Sequence, residues 1–317
     1  MRRAALAVLA LLVFAAGPAM AEGVALTFDD LPQLALTDDA AYAKALTDRL
    51  LAGLKRRRLP AIGFVVGSKL DAPDRAARMA LLDAWLKAGQ PLGNHTYDHG
   101  SLNEMALADY IADVQKNDDI LRSLTPGRRP KPMWFRHPYL ETGKTLESKS
   151  GFESWLASHG YRVAPVTMEN TDWMFAYPYD EAVLKGDAAA ARRIRLEYLD
   201  YTAKCVVWYR AAAQDLLGRR PAWVFLLHAS RLNADSIDDL AGILRRNGLK
   251  AVRLERAMRD EAYAIPDDQP DTQGEEWLSR WAQRLHKPLP WVSFPDPPAD
   301  IVAADKRLDD DKHGDDN

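Results

Sequence analysis

Pro91-Leu92-Gly93-Asn94-His95-Thr96-Tyr97-Asp98-His99-Gly100 reads as a short apolar strand running directly into two histidines four residues apart. On a helical turn, side chains at i and i+4 share one face, so both imidazoles can point at one spot. Two converging imidazoles are the beginning of a transition-metal site. A plain alternative exists, because a helix often carries two histidines on a solvated face. What decides between them is how the other strands of the chain end.

Working outward, the same strand-then-polar pattern repeats. Residues 22–30 read as a strand, Val24-Ala25-Leu26-Thr27-Phe28, that ends in Asp29-Asp30. A helix follows over about 38–58, with Tyr42, Leu46, Leu50 and Leu54 at helical spacing and Pro60 as its stop. Residues 61–67 form a second apolar run between turn formers. A helix opens at Pro73 and ends at Gly89. Beyond the histidines, residues 105–124 are helical and 133–136 are a fourth strand, which ends at His137-Pro138-Tyr139. A helix over 145–159 leads to a fifth strand, 161–166, before Asp172-Trp173. A long helical region over 179–217 leads to a sixth strand, 222–227, ending in His228. A helix over 235–247, capped by Gly248, precedes a seventh strand at 250–254.

Seven alternations of strand and helix without a linker imply parallel strands with crossover helices. The expected architecture is a single barrel-like α/β domain over 22–263. After it the composition shifts. Pro266–Pro270 reads as a linker, 275–285 as a tryptophan-rich helix, 288–298 as proline-rich extended chain, and 308–317 as an acidic disordered tail. Residues 264–317 are therefore expected to form an appendage. Trp277, Trp281 and Trp291 serve there as packing or as a platform for sugar rings.

The 317 residues are 47% hydrophobic, enough for a large core, and carry a formal charge of −3. The absence of basic excess argues against a nucleic-acid or anionic-membrane partner. Residues 1–21 read as a signal peptide. Arg2 and Arg3 are its basic start, residues 4–16 its apolar run, and Ala19-Met20-Ala21 its cleavage signature. The chain is expected to be exported, periplasmic or secreted, without stable membrane insertion after cleavage. Cys205 is the only cysteine, so no internal disulfide forms, and its apolar surroundings suit a buried small hydrophobe.

The polar residues concentrate at strand C-termini: Asp29 and Asp30, His95 and His99, Arg136 and His137, Asp172, and His228. In a barrel those ends meet on one face, which carries the active site. Adjacent carboxylates at a strand end diverge, so one of Asp29 and Asp30 can bind metal while the other stays free as a base. Asp98 could be a ligand, but its place between the histidines reads as support for the turn that aims His95 and His99. Arg136 leaves an apolar strand and needs a buried carboxylate partner, for which Asp29 is the natural choice. His137 lines the pocket or fills space.

These stretches resemble the carbohydrate esterase family 4 polysaccharide deacetylases, which share the NodB homology domain. Thr27-Phe28-Asp29-Asp30, His95-Thr96-Tyr97-Asp98-His99, Arg136-His137-Pro138-Tyr139, Asp172-Trp173 and Leu226-Leu227-His228 are similar to the five family motifs, in order. The resemblance implies a distorted (β/α)7 barrel and a divalent metal, most often Zn2+, with Co2+, Ni2+ or Mn2+ as substitutes. It implies Asp30, His95 and His99 as ligands, Asp29 as general base oriented by Arg136, and His228 as general acid tuned by Asp172. The Tyr139 backbone N–H would hold an oxyanion, and Trp173 would wall the substrate groove. The implied reaction removes acetyl groups from an N-acetylated, or O-acetylated, glycan. Three other readings remain at this point: hydrolysis of a small linear or cyclic amide, a glycan-binding protein without catalysis, and an Fe(II) oxygenase with the same ligand types. Three features depart from the family pattern: His137, the long segment 174–221, and the tryptophan-rich extension.

Overall fold

The structure, a computed structural model, describes residues 22–127 and 132–309. The signal-peptide reading and nearly all of the acidic-tail reading lie outside the described residues. Among those residues no helix is long and apolar enough to cross a membrane.

The chain alternates as β1 (Glu22–Leu34), α1 (Ala40–Arg57), β2 (Ala61–Val65), α2 (Arg75–Lys87), β3 (Leu92–Asn94), α3 (Leu107–Leu124), β4 (Met133–Phe135), α4 (Leu146–Ser158), β5 (Tyr161–Val163), α5 (Asp172–Leu184), α6 (Ala188–Leu217), β6 (Trp223–Ser230), α7 (Arg231–Arg246), β7 (Leu249–Ala251) and α8 (Leu254–Ala257). All strand pairings are parallel, in the order β5-β4-β3-β2-β1-β6, and β7 pairs with the first residues of β1. Residues just past β5 span the gap to β6. Met168 bridges Phe225, Thr167 N–H donates to Val224 O at 3.0 Å, and Leu226 N–H donates to Met168 O at 3.0 Å. The resulting wall is the distorted α/β barrel, with β7 contributing only at the base.

The two-residue period of the strands sorts side chains between two sides of this wall. Val24, Leu26 and Phe28 pack in the large core with residues of the surrounding helices, including Leu46, Leu50 and Leu54 of α1. Ala25, Ile62, Phe64, Trp134, Ala164 and Val224 form a separate interior cluster, closed by Leu254 and Ala257 of α8. On β1 the interior parity continues from Ala25 to Thr27 and then Asp29. Alternation alone thus carries Asp29 into the barrel mouth.

Three elements differ from expectation. β1 does not stop at Asp30; its ladder shifts register between Phe28 and Leu31 and then resumes to Leu34. The expected helical region over 179–217 is two helices, broken at Gly186 (φ 71°), and the first begins at Asp172. Beyond the short α9 (Trp277–Arg284), a further helix, α10 (Ala299–Leu308), packs against α5, with Arg307 bidentate on Glu181 at 3.0 and 2.7 Å. The whole 264–309 stretch is fastened to the barrel. Asp271 N–H donates to Gly143 O at 2.9 Å and Trp277 N–H to Val166 O at 2.6 Å. Trp277 and Trp281 are buried, and Trp291 stacks on Trp208 of α6 at 4.7 Å. All three are therefore engaged in packing.

Candidate metal and catalytic centre

The register shift in β1 builds the first part of the site. Asp30 takes a left-handed backbone (φ 66°), uncommon outside glycine. This turns its carboxylate away from the course set by Asp29, so neighbouring carboxylates face different partners. Asp30 Oδ2 accepts from Lys69 Nζ at 3.0 Å. Its Oδ1 is buried without a hydrogen-bond partner and stands 3.7 Å from His95 Nε2 and 3.5 Å from His99 Nε2. Burial would raise the Asp30 pKa, but Lys69 and the three histidines His99, His228 and His95 hold it below the usual carboxylate range.

The histidines converge without a helix. His95 follows β3, and Thr96 (φ 65°) and His99 (φ 55°) are both left-handed in the turn that follows. That turn is held from behind. Asp113 of α3 accepts from Tyr97 N–H at 2.7 Å and from Asp98 N–H at 3.2 Å. Asn94 Oδ1 accepts from Thr96 N–H at 2.9 Å and from Asn117 Nδ2 at 3.0 Å. Asp98 itself is exposed, so the turn-supporting carboxylate is Asp113. His95 Nδ1 lies 2.8 Å from the Arg136 carbonyl, an acceptor only, so the proton sits on Nδ1 and the Nε2 lone pair faces Asp30. Burial and the neighbouring His99 push the His95 pKa well down, which keeps the ring neutral. Asp30, His95 and His99 each offer a ligand atom within 4.8 Å of the others. One carboxylate and two imidazoles, with an unpartnered oxygen between them, fit a divalent cation of the zinc type.

Arg136, 1% exposed, supports the other carboxylate. Its Nη1 donates to Asp29 Oδ2 at 3.0 Å, Nη2 to Thr27 Oγ1 at 3.0 Å, and Nε to Ala164 O at 2.9 Å. Asp29 Oδ1 is left buried and unbonded. Burial raises the Asp29 pKa and Arg136 opposes that, with about 6 the result. Removing one member of so buried a pair strands the other charge. Arg136→Met is expected to destabilise the protein by ~3–5 kcal/mol in denaturant titration.

His228, in β6 beside Asp29 of β1, completes the group. Its Nδ1 is 2.8 Å from Asp172 Oδ1, and its N–H donates to Asp172 Oδ2 at 2.7 Å. Asn233 of α7 also donates to Asp172 Oδ2 and to His228 O, and Tyr198 of α6 donates to Asn233 at 2.6 Å. Burial would lower the His228 pKa; Asp172, then Asp30 and Asp29, outweigh it and hold it up to about 9.

With this geometry in view, similarity to known proteins becomes specific. The family profile for polysaccharide deacetylases matches residues 16–164. Those residues, just under half of the chain, are similar to the polysaccharide deacetylase family. The matched stretch contains Asp29, Asp30, His95, His99 and Arg136; Asp172 and His228 lie beyond it. A peptidoglycan-N-acetylglucosamine deacetylase of Bacillus cereus is 29% identical over 158 residues, 50% of this chain and 48% of that protein. The chain thus spans about half of that relative's length. A chitin deacetylase structure from Colletotrichum lindemuthianum superposes with a TM-score of 0.51 at 22% identity, covering 75% of this chain and 88% of the other. A mutant of a family 4 carbohydrate esterase pseudoenzyme, with restored enzymatic activity, superposes equally well, with a TM-score of 0.51 at 18% identity over 76% of this chain and 69% of the other. These two likenesses show the fold, and the chemistry is argued from residues.

The remaining deacetylase-motif residues fall as follows. Tyr139 is left-handed (φ 53°), and its ring meets His99 edge-on at 4.6 Å, beside the metal ligands. Trp173, the second residue of α5, is half-buried next to Asp172. His137, by contrast, is 2% exposed and lies among Phe135, Phe152 and Tyr110, at 4.9, 5.5 and 6.5 Å. Of its two readings, this packing favours the space-filling one over contact with substrate. The sequence reading missed Lys69, Asn94, Asp113, Asn117 and Asn233. Each is a polar residue on a helix, turn or strand, indistinguishable by spacing from a solvated one.

Proposed function

We infer that this protein is a metal-dependent hydrolase that removes acetyl groups from an N-acetylated glycan, with O-acetyl esters as related substrates. The observation that carries this reading is the pairing of two kinds of carboxylate at one strand end. Asp30 Oδ1 faces two imidazoles, while Asp29 Oδ1 is buried, unbonded and held by Arg136 at its other oxygen. A glycan-binding protein has no use for the second arrangement. The strand wall and Arg136 likewise set it apart from an Fe(II) oxygenase.

Asp30, His95 and His99 would hold the divalent metal, Zn2+ by donor type. When bound, it supplies Lewis acidity at an acyl oxygen and a water acidified toward ~7. Asp29 Oδ1 takes the proton of the attacking water, and Arg136 fixes the opposite oxygen so that the free one points into the site. Attack on the acetamide carbon breaks the carbonyl π bond and places charge on its oxygen. The Tyr139 backbone N–H is assigned to that oxygen. Collapse then breaks the C–N bond. The amine cannot leave as an anion, so His228 donates a proton from Nε2, its Nδ1 being bound to Asp172. Trp173 is assigned to the groove wall. The barrel is assigned to residues 22–263, with 264–317 an extension, and the enzyme is assigned to the periplasm or exterior, where glycan polymers lie.

Acetate release from acetylated chitooligosaccharides, peptidoglycan fragments and acetylated xylan tests the reaction. Activity should fall below a few per cent after dialysis against a chelator and return on adding Zn2+ or Co2+. Release that survives exhaustive chelation, with metal content verified as zero, would refute the metal assignment. Absence of release from all three substrates would refute the deacetylase reading.

A further inference from the structure

The loop between β4 and α4 carries two consecutive non-glycine residues with left-handed backbone, Tyr139 (φ 53°) and Leu140 (φ 59°). Such residues persist only where their surroundings over-determine them. Within the loop, Leu140 N–H donates to His137 O at 3.2 Å and Glu141 N–H to Pro138 O at 3.1 Å. These bonds close the turn on itself. A second hold comes from the C-terminal extension, outside the 16–164 stretch that contains the loop.

Asp271 is the centre of that hold, and it is buried. Its N–H donates to Gly143 O at 2.9 Å, and its Oδ2 accepts from Thr142 N–H at 3.4 Å. Its Oδ1 accepts from the N–H groups of Gln273, Gly274 and Glu275 at 3.2, 2.9 and 3.4 Å, which folds the turn that follows. Arg280 of α9, also buried, pairs with Asp271 Oδ2 at 2.9 Å and donates to Asp267 at 2.8 Å. Lys149 of α4 reaches the same Asp267 at 2.8 Å. Charge-assisted bonds of this kind fix direction as well as distance. The turn so built sets Gly274 (φ 69°) against the Tyr139 carbonyl, so closely that a Cβ would overlap that oxygen. Glycine is needed here both for its backbone and for the approach. Apolar burial of Trp277, Leu278 and Trp281 already fastens the extension. A buried ion pair adds fixed geometry to that rather than further burial.

We propose that Asp271 and Gly274 are positioning residues for deacetylation. They brace Tyr139 from its carbonyl side and thereby hold its N–H where the oxyanion forms. This rests on the deacetylase reading, which assigns that N–H, but the brace itself is measured without turnover. Wild type is compared, as the full chain, with Gly274→Ala and with Asp271→Asn, which keeps Oδ1 for the turn and loses the acceptor for Thr142. Hydrogen exchange of the 139–143 amides should quicken by about tenfold or more in both variants, with bound metal unchanged. On N-acetylated chitotetraose, kcat should fall by about tenfold or more, while KM stays within about twofold. A methylphosphonamide analogue of the substrate, whose tetrahedral P–O⁻ stands where the oxyanion forms, should bind about tenfold more weakly in both. Exchange across 139–143 at the wild-type rate in both variants overturns the brace. Quickened exchange with wild-type kcat and wild-type analogue binding overturns its part in the reaction. If wild type releases no acetate, the deacetylase reading fails, and the exchange rates still decide whether the extension holds the loop.

Discussion

Asp29→Asn is expected to lower kcat by ~10²–10⁴-fold, the usual contribution of a general base, and, because it leaves the buried Arg136 charge without its carboxylate, to lower stability as well, while metal content stays near wild type. The substitution is close to isosteric, and an Asn side-chain oxygen can still accept from Arg136 Nη1, which now lies 3.0 Å from Asp29 Oδ2. What it removes is the ability of the second, unbonded oxygen to take a proton. Because Asp29 does not face His99 as Asp30 does, the three-ligand set stays intact. Asp30→Asn should behave differently. It weakens the carboxylate that the imidazoles and Lys69 surround, so metal content falls together with activity. Measuring both quantities in both variants separates the roles. Full activity in Asp29→Asn would remove Asp29 from the mechanism, and loss of metal in Asp29→Asn would move it into the ligand set.

The division between those two carboxylates shows where sequence reading works and where it stops. The strand-helix alternation, and the clustering of polar residues at strand ends, follow from local periods of 2 and 3.6 and are visible in the chain. So is the need of Arg136, emerging from Met133-Trp134-Phe135, for a buried partner; the structure sets it on Asp29. Local patterns also mislead. The four-residue spacing of His95 and His99 suggests a helical turn, yet the turn is irregular, with Thr96 and His99 left-handed. Its shape is dictated by Asp113 and Asn117, on a helix later in the chain. Long-range partners of this kind leave no mark in spacing. Helix starts are legible where a side chain caps them, as Asp39 does for α1 by accepting from Tyr42 N–H. α5 lacks that signal. Thr171 precedes it with a left-handed backbone (φ 43°) and no side-chain cap bond, and α10 follows Pro298 with none either. The first was read too late in the chain and the second was not read at all.

The helix start that was missed has a functional consequence, because Asp172 is the first residue of α5 and its carboxylate reaches back to His228. An acid must be protonated to donate, so the rate should hold below the His228 pKa and fall as pH rises through it. Burial alone pushes that pKa down; Asp172, with Asp30 and Asp29 behind it, raises it to about 9. Asp172→Asn deletes the largest of the raising influences and leaves the burial. The alkaline limb of kcat should therefore move down by at least a full pH unit, and kcat above that limb should drop ~10-fold per further unit. The Asn amide can still face Nδ1, so the ring keeps its place more nearly than in Asp172→Ala. The acidic limb, set by Asp29 near 6, should move far less. Asn233→Ala gives a finer control, since Asn233 donates to Asp172 and is itself held by Tyr198 of α6. Loss of those bonds leaves the Asp172 charge in place but loosens it, so the limb should move by less than in Asp172→Asn. If Asp172→Asn lowers kcat uniformly without moving the alkaline limb, His228 is not the group titrating there, and the proton for the amine comes from elsewhere.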